Sequence, residues 1–226
     1  SVSGQHLDIL AVNDNGKIAT GYYDFDTTQL ELGDHVFAET FTSIFPGLLG
    51  TTAPGVYNLP GYELLASTDL SFNALAITHP DTQVASNLLY WDGLGAVDFA
   101  PPTDGSTLQF RLSGSTNISV DGSPSDVPGF VLDGTDPDGL IHKHISLSAR
   151  NTVGDPADGL YLASIELTMP GLVESDPVYL LFNAHYQRDA QDDIIYIIDA
   201  PQVDPASEAL AIDWIEQSFF GSVLVG

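Results

Sequence analysis

Residues 140–198 carry four long β-type runs: Leu140 to Ala149 (LIHKHISLSA), Gly159 to Met169 (GLYLASIELTM), Pro177 to His185 (PVYLLFNAH) and Asp193 to Ile198 (DIIYII). Short Gly, Pro and Asp links join them, too brief to house a crossover helix, so antiparallel pairing is expected. Outward from this block, His6 to Asn13 (HLDILAVN) and Ile18 to Asp24 (IATGYYD) flank Asp14-Asn15-Gly16-Lys17, which is a hairpin signal. Leu70 to Thr78, Asn87 to Trp91, Thr107 to Leu112, Asn117 to Val120 and Gly129 to Leu132 read as further strands punctuated by turn residues. Residues 45–62 (FPGLLGTTAPGVYNLPGY), rich in Pro and Gly, read as an extended, aromatic-lined loop. One helix is expected, with Asp204 as N-cap, Pro205 in the first helical position and Glu208 in the first turn. Leu210, Ala211, Trp214, Ile215, Ser218 and Phe219 follow at helical spacing, and Gly221 stops it. The reading is all-β: one antiparallel β-sandwich domain over residues 1–226, jelly-roll or immunoglobulin-like, with a C-terminal amphipathic helix at about 205–220.

Composition narrows the function. Five Lys and Arg oppose 31 Asp and Glu, a net charge of −26, which argues against nucleic acid or an anionic membrane as partner and favours cations. The acid is 24 Asp against 7 Glu, and Asp is a turn and cap residue, in keeping with short strands and acidic turns. The absence of Cys excludes disulfides, thiolate-ligated metals and thiol catalysis, so a metal site must use His, carboxylate or carbonyl oxygen. No run approaches the roughly 18 apolar residues of a membrane span. A start at Ser1 is compatible with removal of a signal peptide, so a secreted, periplasmic or cell-surface location is open.

The sharpest chemical signal is His142-Lys143-His144. In a strand, residues two apart project from one face, close enough to share an ion, although a solvated polar face gives the same pattern. His6-Leu7-Asp8 repeats the spacing with an imidazole and a carboxylate, a pair that can complete a metal's ligand shell or orient an imidazole. Three imidazoles and a carboxylate suit zinc, with copper or nickel as alternatives. His185, closing its strand, ranks next as a ligand, while His35 and His79 have no partner at informative spacing and read as structural. Asp133, Asp136 and Asp138 crowd into one Gly-bearing loop that could wrap calcium, but it lacks the spacing and distal Glu of an EF-hand and reads more readily as an ordinary acidic turn. Asp24-x-Asp26 and Asp155-Pro-Ala-Asp158 are weaker versions. No nucleophile elbow, His-Glu-x-x-His or phosphate-binding glycine loop advertises an enzyme, and no catalytic residue is assigned. Tyr22, Tyr23, Tyr57, Tyr62, Tyr90 and Trp91 could form a sugar-stacking platform, or else core and cross-strand pairs.

The stretches His6-Leu7-Asp8-Ile9, Leu88 to Gly93 (LLYWDG), Gly139 to Leu147 (GLIHKHISL) and Gly159 to Asn183, taken in order, resemble a family of exported bacterial proteins. Several of its members bear PEP-CTERM sorting signals, and the family is associated with zinc-starvation regulation. The chain is also distantly similar to repeat domains of actinobacterial surface-anchored proteins from metal-uptake loci. The resemblance implies an extracytoplasmic β-domain with a metal site on His6, Asp8, His142 and His144. Unlike the sorted members, the chain has no Pro-Glu-Pro motif, apolar span or basic tail before Val225-Gly226, which bears on cell-surface or matrix anchoring but not on export. The expectation is a secreted or periplasmic metal-binding protein for zinc capture or buffering. The alternative is a carbohydrate-binding or structural matrix module in which the histidines are incidental.

Overall fold

The computed structural model describes residues 8–24, 27–33, 36–45, 48–113, 115–184, 187–188, 194–195 and 205–221. The fold is all-β with a short C-terminal helix, as the strand pattern predicts. Three main sheets surround the principal core. The first orders His142–Lys143, Val56–Tyr57, Ile9–Asp14, Lys17–Asp24 and Gln29–Leu32 side by side. The second orders Val127–Gly134, Asp69–Leu75, Gly159–Thr168, Val178–Ala184 and Val36–Thr40, with Leu89–Trp91 also on Gly159–Thr168. The third orders Thr116–Val120, Ser106–Ser113, Ser146–Asn151, Leu48–Thr51 and Thr42–Phe45.

Gly159–Thr168 is buried on both faces, and this explains its near-continuous apolar run. Tyr161, Ala163, Ile165 and Leu167 join Phe72, Phe110 and Leu147 in the core shared by the three sheets. Leu160 and Leu162 face the other way, toward Trp91, Phe99, Ala211 and Ile215. The helix Pro205–Ile215 covers that second face and continues as a wider π-turn over Glu216–Phe220, ending at Gly221. Ala211 and Ile215 are fully buried, but Leu210, expected on the apolar stripe, is 50% exposed. Its expected N-cap, Asp204, lies outside the described residues.

The first hairpin forms as the sequence predicts: Asp14 pairs with Lys17, and Asn15 and Gly16 both take positive φ (52° and 90°). That pair of left-handed residues is what a two-residue turn matched to strand twist requires.

Three expectations are corrected. LIHKHISLSA is two strands rather than one: His142–Lys143 pairs with Val56–Tyr57, whereas Ser146–Asn151 pairs with Ser106–Ser113 in another sheet. His144 and Ile145 carry the chain across, and Ser148, placed on a polar face by strict alternation, is buried and accepts a bond from Arg150 Nε at 3.2 Å. Residues 45–62 are not only a loop, because Leu48–Thr51 and Val56–Tyr57 enter sheets, strands short enough for Gly and Pro to flank them. Pairing is also not wholly antiparallel: Ile9–Leu10 runs parallel to Val56–Tyr57, and Val36–Thr40 parallel to Tyr179–Asn183. Both join segments distant in sequence, where short local links impose no direction. Gln29–Leu32, Val36–Thr40 and Thr42–Phe45 are strands that the sequence pattern did not single out.

Candidate metal centre

The site lies at the end of the first sheet where His142–Lys143 forms its edge. Val56–Tyr57 is the bridge: it pairs with Ile9–Leu10 on one side and with His142–Lys143 on the other. Residues more than a hundred apart in sequence thereby become near neighbours. Asn58 holds the approach to His142. Its side-chain amide donates to Gly139 O at 2.9 Å, its Oδ1 accepts from Ile141 N at 2.9 Å, and its backbone N donates to Ile141 O at 3.1 Å.

Asp8 Oδ2, His142 Nε2 and His144 Nε2 converge. The two nitrogens are 3.0 Å apart, and the carboxylate oxygen lies 3.4 Å from His142 Nε2 and 3.5 Å from His144 Nε2. Among the described residues this is the one trio of His, Asp or Glu side chains gathered closely enough to share an ion. Tetrahedral zinc with bonds of about 2.0–2.1 Å sets its ligand atoms about 3.3–3.4 Å apart, close to this triangle. A square-planar ion would place one pair of three ligands about 4 Å apart, a spacing the trio lacks. Calcium asks for six to eight oxygens, whereas two of these three donors are nitrogen.

Two of the three ligands have backbone support. Asp8 Oδ1 accepts from Gly55 N at 2.7 Å, which leaves Oδ2 turned toward the imidazoles. His144 Nδ1 lies 2.9 Å from the carbonyl of Thr52, and because a carbonyl only accepts, Nδ1 carries the proton and Nε2 presents its lone pair. His142 Nε2 lies 3.0 Å from that nitrogen. The Tyr57 ring stands 6.2 Å from the His142 ring. Burial pushes its phenol pKa up, the Tyr23 N–H that it accepts at 3.2 Å opposes this, and the Asp8 charge adds to the rise, so Tyr57 is a neutral wall. Lys143 turns to the opposite side and pairs with Asp133 Oδ2 at 2.9 Å, which keeps its ammonium off the triangle. The site is open to solvent: the side chains of His142 and His144 are 65% and 42% exposed, that of Asp8 20%.

Of the ligands expected from sequence, Asp8, His142 and His144 therefore come together. His6 and His185 lie outside the described residues, as do His35 and Asp26. Asp133, Asp136 and Asp138 are not gathered around a common point. Asp133 holds Lys143, and Asp136 Oδ1 accepts from the backbone N–H of Asp138 at 2.9 Å and of Leu140 at 2.8 Å. His79 is structural, as expected: it is buried against Trp214 and its Nδ1 accepts from Asp81 N and Thr82 N. Of the six aromatics, Trp91 is buried against Phe99 and Tyr90 packs on its cross-strand partner Tyr161, whereas Tyr62 is exposed. Sequence reasoning missed Thr52, Gly55 and Asn58, all inside the stretch read as a loop. The one visible hint was the bulky pair Val56-Tyr57 amid glycines and prolines. The chain matches no family model, no curated protein and no solved structure.

Proposed function

We propose that this protein is an extracytoplasmic metal-binding protein that captures or buffers a divalent cation, zinc first, through Asp8, His142 and His144. The observation that carries the reading is the triangle itself: two imidazole nitrogens and one carboxylate oxygen, 3.0–3.5 Å apart, at the spacing of tetrahedral zinc. Exposure of both imidazoles favours a site that exchanges its ion with solvent, which suits capture and release better than a closed structural centre. The charge of −26 concentrates cations near the surface, strongly at low salt and weakly where salt screens it. The resemblance to exported proteins linked to zinc starvation points the same way and supports a secreted, periplasmic or surface location.

The test is metal analysis of protein purified without chelator, then zinc titration against a competing dye, for the native chain and for His142→Ala/His144→Ala. One zinc bound per chain and lost in the double variant supports the reading. Zinc that survives the double substitution, or none in either protein, removes it.

A further inference from the structure

We infer that Gly55 is the positioning residue of the metal centre, and that its missing side chain sets the metal affinity; the inference rests on the zinc-binding reading above. Gly55 ends the link between the strands Leu48–Thr51 and Val56–Tyr57 and touches two of the three ligands. Its N–H fixes Asp8 Oδ1 at 2.7 Å, and its carbonyl accepts Ile9 N at 2.8 Å, which locks the residue after Asp8 into register. Against its Cα lies the His144 ring: a Cβ at residue 55 would fall 2.7 Å from both Cε1 and Nδ1 and 3.0 Å from Cγ of that imidazole. Real Cβ atoms do not approach so closely, so any side chain there pushes the ring away. Moving it breaks the Nδ1–H bond to Thr52 O, which selects the tautomer that leaves Nε2 free for metal. Gly55 is not among the glycines with positive φ, so the backbone itself admits alanine. The glycine is required by the imidazole that lies on it.

The experiment uses zinc alone as the probe, with affinity read by dye competition in the native chain, Gly55→Ala, His144→Ala and the double variant. Gly154, which has open space around it and no positive φ, gives Gly154→Ala as the control. Loss of a group that orients a ligand typically costs about 10- to 100-fold in metal affinity, and Gly55→Ala is expected in that range with Gly154→Ala unchanged. In the His144→Ala background, where the ring is gone, adding Gly55→Ala should cost nothing further in affinity or in melting temperature. If Gly55→Ala alone folds poorly, His144→Ala must rescue its fold, because it removes the clash. Cobalt in place of zinc adds a spectroscopic reading, with Gly55→Ala weakening the visible bands of a tetrahedral site. Native-like zinc affinity in Gly55→Ala, or a loss equally large in the His144→Ala background, overturns the inference while leaving the zinc reading intact. No zinc binding by the native chain overturns both.

Discussion

Two acidic neighbourhoods meet at Lys143, and they behave differently. On one side Asp8 joins His142 and His144; on the other Asp133, Asp136 and Asp138 crowd into six residues at the end of the strand Val127–Gly134 and the turn that follows it. The local cluster is the denser in sequence, yet the Asp133 carboxylate is engaged with Lys143 Nζ and that of Asp136 with backbone N–H groups that shape the turn. Asp8 uses one oxygen on Gly55 N and keeps the other facing two imidazoles. Carboxylates crowded in sequence are therefore not the ones gathered around a common point with other ligand-type side chains among the described residues.

Breaking the imidazole side should have the largest effect. His142→Ala/His144→Ala removes two of three donors, and zinc affinity is expected to fall by more than the roughly 100-fold that loss of an orienting group costs, as read by dye competition. Asp8→Asn keeps an oxygen near the site but removes its charge and should weaken zinc by about 10- to 100-fold, with the fold intact by circular dichroism. Acidification should also release zinc, because the ligands bind metal in their deprotonated forms and protons compete for them; zinc affinity that does not change with pH would argue against imidazole ligation. Asn58→Ala takes the acceptor from Ile141 N at a buried position, while Gly139 O keeps Leu64 N, and should lower stability by about 1–3 kcal/mol in denaturant titration, weakening zinc through His142.

The acidic turn should respond last and least. Asp133→Asn removes an exposed ion pair worth roughly 0–1 kcal/mol and should leave zinc affinity within about twofold of native. Chiefly the hydrogen bond from Lys143 holds the Asp133 carboxyl below its ordinary pKa. Its contribution is therefore complete above the usual carboxylate range and fades as pH falls through the lowered value. A pH-stability curve of Asp133→Asn should meet that of the native chain at the acid end; divergence there would contradict the pairing.

Much of the architecture was legible because period-2 alternation and turn chemistry act locally. The Asn15-Gly16 hairpin, the doubly buried Gly159–Thr168 strand and the helix begun by Pro205 all follow from residues within one window. The failures share a cause in long-range pairing. The chain changes sheet at His144 and Ile145, and two-residue strands such as Val56–Tyr57 exist only because partners distant in sequence flank them. The site was half visible: His142 and His144 lie two residues apart, as a shared face demands, but the meeting with Asp8 depends on Val56–Tyr57 lying between them. Gly55 left no mark in sequence beyond being one glycine among many, since its role is defined by the His144 ring packed on it.

The ligand shell of bound zinc is the most direct readout of the proposed site. X-ray absorption at the zinc edge of protein loaded with one equivalent of zinc reads that shell directly. The geometry predicts only nitrogen and oxygen neighbours at about 2.0–2.1 Å, with the outer-ring scattering of two imidazoles, and loss of that scattering in His142→Ala/His144→Ala. A shell of oxygens alone, or an imidazole signal that the double variant retains, would contradict it.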